Sequence, residues 1–161
     1  MDGFEIDRAD PRDDRVRALV ERHLIFGRSF TPLEDAHALE ADELLDPAIV
    51  LFAARSGEEV LAVGALKEIG DGHGELKTMH TAQAARGRGI GRAMLDRLLA
   101  EARDRGYRRV SLETGSMEAF APARALYEGA GFSPCEPFGD HRRSPHSVYL
   151  TLELDGGPAP T

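Results

Sequence analysis

HTAQAARGRGIGRAMLDRLLAEARDRG, His80 to Gly106, joins the end of one extended stretch to a long helix through a loop of arginine and glycine. Within it RGRGIG, Arg86 to Gly91, offers backbone N–H groups with no Cβ in the way, just ahead of a helix whose first amides lack intrahelical partners. An anion can take those amides, and the helix dipole together with Arg86, Arg88 and Arg92 favours its charge. Past the loop, Ile90, Met94, Leu95, Leu98, Leu99 and Ala102 recur as an apolar stripe with Asp96, Arg97, Arg103 and Asp104 largely opposite, and Gly106 stops the helix.

Glycine-rich loops also serve as plain strand-to-helix turns, so spacing has to narrow the reading. A P-loop needs Gly-Lys-Ser/Thr after its four-residue spacer, which is absent. A dinucleotide fingerprint needs a third small residue where Arg92 stands after Gly87 and Gly89. Glu113 does lie at the end of the next strand, where such a fold keeps its ribose-binding acid, but several residues separate Thr81 from the glycines.

Working outward, residues 75–81 read as a strand on which Glu75, Lys77, Met79 and Thr81 share one face and Leu76, Thr78 and His80 the other. Residues 110–114 form the next strand, and a strand, helix and strand so joined make a parallel crossover. A helix follows over 121–128, with Phe120, Leu126, Tyr127 and Ala130 on its inner face and a stop at Gly129 or Gly131. Pro134 and Pro137 interrupt a strand over 132–138 and place it at an edge or make it irregular, and 147–154 is a clean final strand. Upstream, 4–7 is a short strand, Asp10 and Pro11 start a helix carrying Val16, Leu19, Val20, His23 and Leu24 on one face, and Thr31 to Glu34 is a capping box for a second. Residues 49–54 and 60–69 form a hairpin.

With 161 residues, 42% of them hydrophobic, the chain supports one domain over residues 1–155, and the tail 156–161 has nothing to pack. A net charge of −8 argues against nucleic acid as a partner, since polyanions reward a broad basic face. The single Cys135 excludes an intrachain disulfide and a multi-cysteine metal site. No apolar run approaches the roughly 18 residues of a membrane span, so a cytoplasmic protein without membrane contact is expected.

Arg86, Gly89 and Gly91 match the R/QxxGxG/A acetyl-CoA motif of the GNAT acyltransferases, and Leu126 to Phe132, LeuTyrGluGlyAlaGlyPhe, resembles their second hallmark. The order of elements, β-α-α-β-β-β-α-β-α-β-β, is similar over nearly the whole chain. The resemblance therefore implies an α/β (α+β) fold with a mixed central sheet of about seven strands and helices on both faces. GluLeuLysThrMet, LeuGluThrGlySer and ProPheGlyAsp further resemble a subgroup of small bacterial GNAT proteins.

The resemblance implies that acetyl-CoA is the co-substrate, with no metal. The amides of Arg86, Gly87, Arg88, Gly89, Ile90, Gly91 and Arg92 would hold its pyrophosphate, and strand 75–81, splayed from 110–114, would pair with pantetheine through Met79, His80 and Thr81. Amides near Met79 and His80 would polarise the thioester carbonyl. Tyr127 corresponds to the residue that in many GNAT enzymes protonates the departing thiolate; its other reading is packing into the core. An alkylamine is neutral in only about one molecule in 10³ at pH 7, so a base is needed. Glu75 matches the general-base glutamate of the histone-modifying branch, with Glu113 and His80 as alternatives; paired with a neighbouring Arg or Lys, Glu75 would instead be structural.

His23, Arg28, Ser29 and His37 fall where the family's first two helices roof the acceptor, and His141, Arg142, Arg143 and His146 fall in the last connecting loop. Glu113, His23, Arg28 and Arg142 are thus read as acceptor-binding, for an amine that also bears a carboxylate or phosphate. Cys135, with no activating partner nearby, is read as a packing residue and not as an acyl carrier. The expected function is transfer of an acetyl group from acetyl-CoA to a primary amine of a small molecule, by direct attack in a ternary complex. The alternative is a noncatalytic CoA-binding sensor or interaction module. Dimers are frequent in the superfamily, and the final strand pair would be the interface of a homodimer.

Overall fold

The computed structural model describes residues 3–30, 44–70, 72–138 and 144–154, with side chains in the first span as far as residue 23. The order is β1 (Glu5–Arg8), α1 (Asp14–Phe30), β2 (Ile49–Ser56), β3 (Glu59–Gly70), β4 (His73–Thr81), α2 (Ile90–Asp104), β5 (Arg109–Gly115), α3 (Ala121–Gly129), β6 (Ser133–Pro134) and β7 (Ser147–Glu153). The seven strands form one sheet in the order β1-β2-β3-β4-β5-β7-β6, with β4 and β5 parallel and every other pair antiparallel. The second early helix, expected from Thr31 onward, lies outside the described residues.

The sheet is covered on both sides. Ile90, Met94, Leu95, Leu98, Leu99 and Ala102 of α2, the stripe read from spacing, are all buried, and with Tyr127 of α3 they pack on Phe52, Ala54, Ala62, Leu66 and Leu112. Val16, Leu19 and Val20 of α1 pack on the opposite side against Leu51, Ala53, Val63 and Ala65. Alternate residues of β2 and β3 thus feed two cores, as the two-residue period of a strand requires.

Three local expectations change. Helix α1 starts at Asp14 and not beside Asp10 and Pro11, because Asp13 is the better cap: its Oδ1 accepts the amides of Arg15 at 2.9 Å and Val16 at 3.2 Å. The strand expected over 132–138 contracts to Ser133–Pro134, since prolines 134 and 137 have no N–H to extend the ladder; it does sit at the sheet edge.

The third change moves the site. Along β3 and β4, Val63 pairs with His80, but Ala65 pairs with Lys77, so two steps on β3 match three on β4. The extra residue is a bulge at Thr78 and Met79, with Thr78 in the left-handed region at φ 58. A bulge reverses the alternation beyond it. His80 therefore shares the α1 face with Lys77 and Glu75, while Met79 and Thr81 do not share Glu75's face. Gly64 faces the bulge: a Cβ there would lie 2.8 Å from Leu98 and 2.9 Å from the Met79 sulfur, which fixes Met79 on the α2 side.

Candidate active site

Strands β4 and β5 pair from His73 and Arg109 to Leu76 and Leu112 and no further, although β4 continues to Thr81 and β5 to Gly115. The two strands part, and a cavity of about 480 Å³ opens between them. Thr78 and Met79 have no register partner in β3 or in β5, so their backbone lies at this opening outside both ladders.

The α2 side of the cleft is built by the arginine- and glycine-rich loop. Arg86, Gly87, Gly89, Ile90 and Gly91 line it, as do Met79 and Thr81 of β4. Gly87 and Gly89 have φ of 81° and 78°, and the space a Cβ would take at either is open. Gly89 is the N-cap of α2, so the free amides of the first turn face the cleft beside a backbone with no side chain. Arg86 is anchored by Nε donating to the Thr81 carbonyl at 3.3 Å. Arg88 and Arg92 stand outside the lining, and Arg92 pairs with Asp96 at 3.1 Å.

Tyr127 of α3 reaches the same cleft, edge-to-face with Phe132 at 5.8 Å between ring centres. Burial pushes its phenol well above the ordinary value of 10, so it stays protonated. Sequence reasoning did not single out the wall beside it. A Cβ on Gly115 would overlap the Phe120 ring, and the Arg124 guanidinium donates to the Gly115 and Met117 carbonyls at 2.6 and 2.9 Å.

The α1 side is polar. Glu75, Lys77, Glu113, His23, His80, His146 and Ser147 all line it. Glu75 and Lys77 form an ion pair of 3.2 Å, with side chains only 6% and 11% exposed. The pairing that would make Glu75 structural is therefore present, beside a position on the cleft. Glu113 accepts from the hydroxyls of Ser147 at 2.5 Å and Tyr149 at 3.4 Å. Arg28 and Ser29 belong to α1, but their side chains, like the whole of His37, His141, Arg142 and Arg143, lie outside the described residues. Cys135 is half-buried, and burial raises its thiol pKa, the opposite of what a nucleophile needs.

The Nδ1 atoms of His23 and His80 lie 3.4 Å apart. Burial, with His80 nearby, lowers His23 from 6.5 to about 4; burial, with Arg86 and Arg22, lowers His80 likewise to about 4. Both rings are thus neutral in the fold at pH 7, and between pH 6.5 and 4 the unfolded chain binds more protons than the folded one. These two rings therefore cost no stability above pH 6.5 and a growing amount as pH falls toward 4. Urea midpoints should show this slope in the native chain and a flatter one in H23N/H80N; equal slopes would contradict the assignment.

Among the described residues no helix is long and apolar enough to cross a membrane, and no three His, Cys, Asp or Glu side chains gather to hold a metal.

The sequence matches the model of the acetyltransferase (GNAT) family over residues 15–132. It is 44% identical over 140 residues to YsnE, an uncharacterized N-acetyltransferase of Bacillus subtilis strain 168, covering 87% of this chain and 93% of that one. It is 40% identical over 151 residues to YedL, an uncharacterized N-acetyltransferase of Escherichia coli K12, covering 94% and 95%. A Bacillus subtilis acetyltransferase solved in complex with CoA superimposes with a TM-score of 0.70 over 94% of this chain and 99% of that one; at 18% identity it shows the shared fold. Parted strands, an open glycine cradle and these relatives agree: the chain belongs to the GNAT family and is an acetyl-CoA-dependent N-acetyltransferase.

Proposed function

We propose that the chain moves an acetyl group from acetyl-CoA to the primary amine of a small molecule by direct attack in a ternary complex. The observation that carries this reading is the parting of β4 from β5 beyond Leu76 and Leu112, which leaves one cleft open to both faces of the sheet. The donor enters from the α2 side, with its pyrophosphate on the amides of residues 86–92 and its thioester carbonyl at the free backbone of Thr78 and Met79. The acceptor enters from the α1 side. Its nitrogen bonds to the acyl carbon as the C–S bond breaks, and the thiolate takes the Tyr127 proton. Arg22 and Arg86, both close enough to act on His80, supply positive potential for an acceptor with an anionic group. Simple carboxylates should then compete with the acceptor, whereas a preference for polycationic amines would count against this.

Glu75 is the proposed base, with Glu113 and His80 as the other carriers of that role. The Lys77 ammonium at 3.2 Å holds the Glu75 carboxylate in place at the cleft. Glu75→Gln keeps the shape and removes the charge. It should lower kcat by about 10²-fold, the ordinary worth of a positioned base, and depress the acidic limb of the pH–rate profile. An unaltered limb would move the role to Glu113 or His80.

A further inference from the structure

All but two of the chain's 20 basic Lys and Arg residues are arginines; the exceptions are Lys67 and Lys77. The difference is chemical, because an arginine is never neutral in a protein whereas a lysine can surrender its proton and become a nucleophilic amine. Of the two lysines, Lys77 alone lines the cleft.

We propose that Lys77 is a site of self-acetylation, its Nζ taking the acetyl group of bound acetyl-CoA when no external amine occupies the α1 side. This rests on the reading of the cleft as the acetyl-transfer site. Three observations carry it. Lys77 lies on the α1 face of β4, the face from which an acceptor amine approaches, because the bulge begins one residue later. Met79, which has no register partner in either ladder, is two residues on along the same strand, and both residues line the cleft. And Glu75 Oε2 lies 3.2 Å from Nζ, in a pair only 6% and 11% exposed. That contact places the carboxylate to accept the Nζ proton as the amine attacks.

The step balances without another reagent. The Nζ proton passes to Glu75, Nζ bonds to the acyl carbon, the C–S bond breaks, and the thiolate takes a proton and leaves as CoA–SH. Lys77 becomes a neutral amide and one proton is released to solvent. Glu75 then loses its cationic partner, and an acetamide fills the acceptor side, so the modified chain should be slow toward external amines. Lys67 provides a built-in control: it sits opposite Glu75 in the β3–β4 register, but outside the cleft lining.

The test is incubation of the full chain with acetyl-CoA alone, followed by intact mass and peptide mapping. One added acetyl group is expected, located on Lys77, with a rate that saturates in acetyl-CoA. It should persist in K67R and be lost in K77R and in heat-denatured protein. Mapping of the unsubstituted chain locates the group even if K77R fails to fold. Acetyl groups on Lys67 or the N-terminus in place of Lys77, or undiminished acetylation of K77R, would overturn the proposal. Unchanged mass in a chain that acetyl-CoA protects against thermal unfolding and that releases thiol with an external amine would overturn it alone. Unchanged mass without such protection or release would overturn the cleft reading as well.

Discussion

Tyr127→Phe should reduce the single-turnover rate of acetyl transfer by about 10²-fold or more, the usual worth of a positioned general acid, while acetyl-CoA affinity stays within about twofold of the unsubstituted chain. The ring is buried against Phe132 and the α2-side core, so removing one oxygen leaves its packing intact. What is lost is a proton donor at the cleft, kept protonated by its own burial. Rapid-quench measurement of the acetyl-transfer step, with calorimetric titration of acetyl-CoA, separates the two quantities. An unchanged transfer rate would reduce Tyr127 to a core residue.

Gly89→Val should weaken acetyl-CoA binding by at least about tenfold, or 1.4 kcal/mol. At φ 78 the valine pays the strain of a left-handed backbone, of order 1–2 kcal/mol, and its side chain rises into open space beside the first-turn amides of α2. Strain alone would also destabilise the fold, so the comparison is Gly106→Val. Gly106, just past the other end of the same helix, has φ 79 and equally open surroundings, but no place in the cleft. Both variants should lower Tm by similar amounts, and only Gly89→Val should lose affinity. Equal affinities in the two would mean that the loop does not hold the pyrophosphate.

Much of the fold was readable because its signals are local. The α2 stripe repeats at helical spacing without interruption, and the glycines that flank it need conformations only glycine adopts easily. The glycine-lined side of the cleft was readable for the same reason: the loop and its helix are continuous in sequence. The polar side of the cleft is assembled from β4, β5, β7 and α1, and the facing of its residues was misread where local rules break. Simple alternation put Glu75 on the face of Met79, whereas one inserted residue at Thr78 and Met79 carries His80 to that face instead. Nothing in GluLeuLysThrMet announces a bulge; the one sequence trace of it is Gly64 on the facing strand, whose meaning depends on the contact it makes. Lys77 was passed over as a strand residue, although the rarity of lysine in the chain was visible from the start.

Direct attack requires one cleft to hold donor and acceptor together while the acetyl group passes between them. Initial-rate kinetics of free-thiol release, varied in acetyl-CoA and in the best amine from a panel of amines, amino acids and peptides, tests it most directly. Amine-dependent release with intersecting double-reciprocal lines is expected. Tight acetyl-CoA binding with no amine-stimulated release would make the chain a CoA-binding module, and parallel lines with an acetyl-enzyme able to pass its group to the amine would replace direct attack with a two-step exchange.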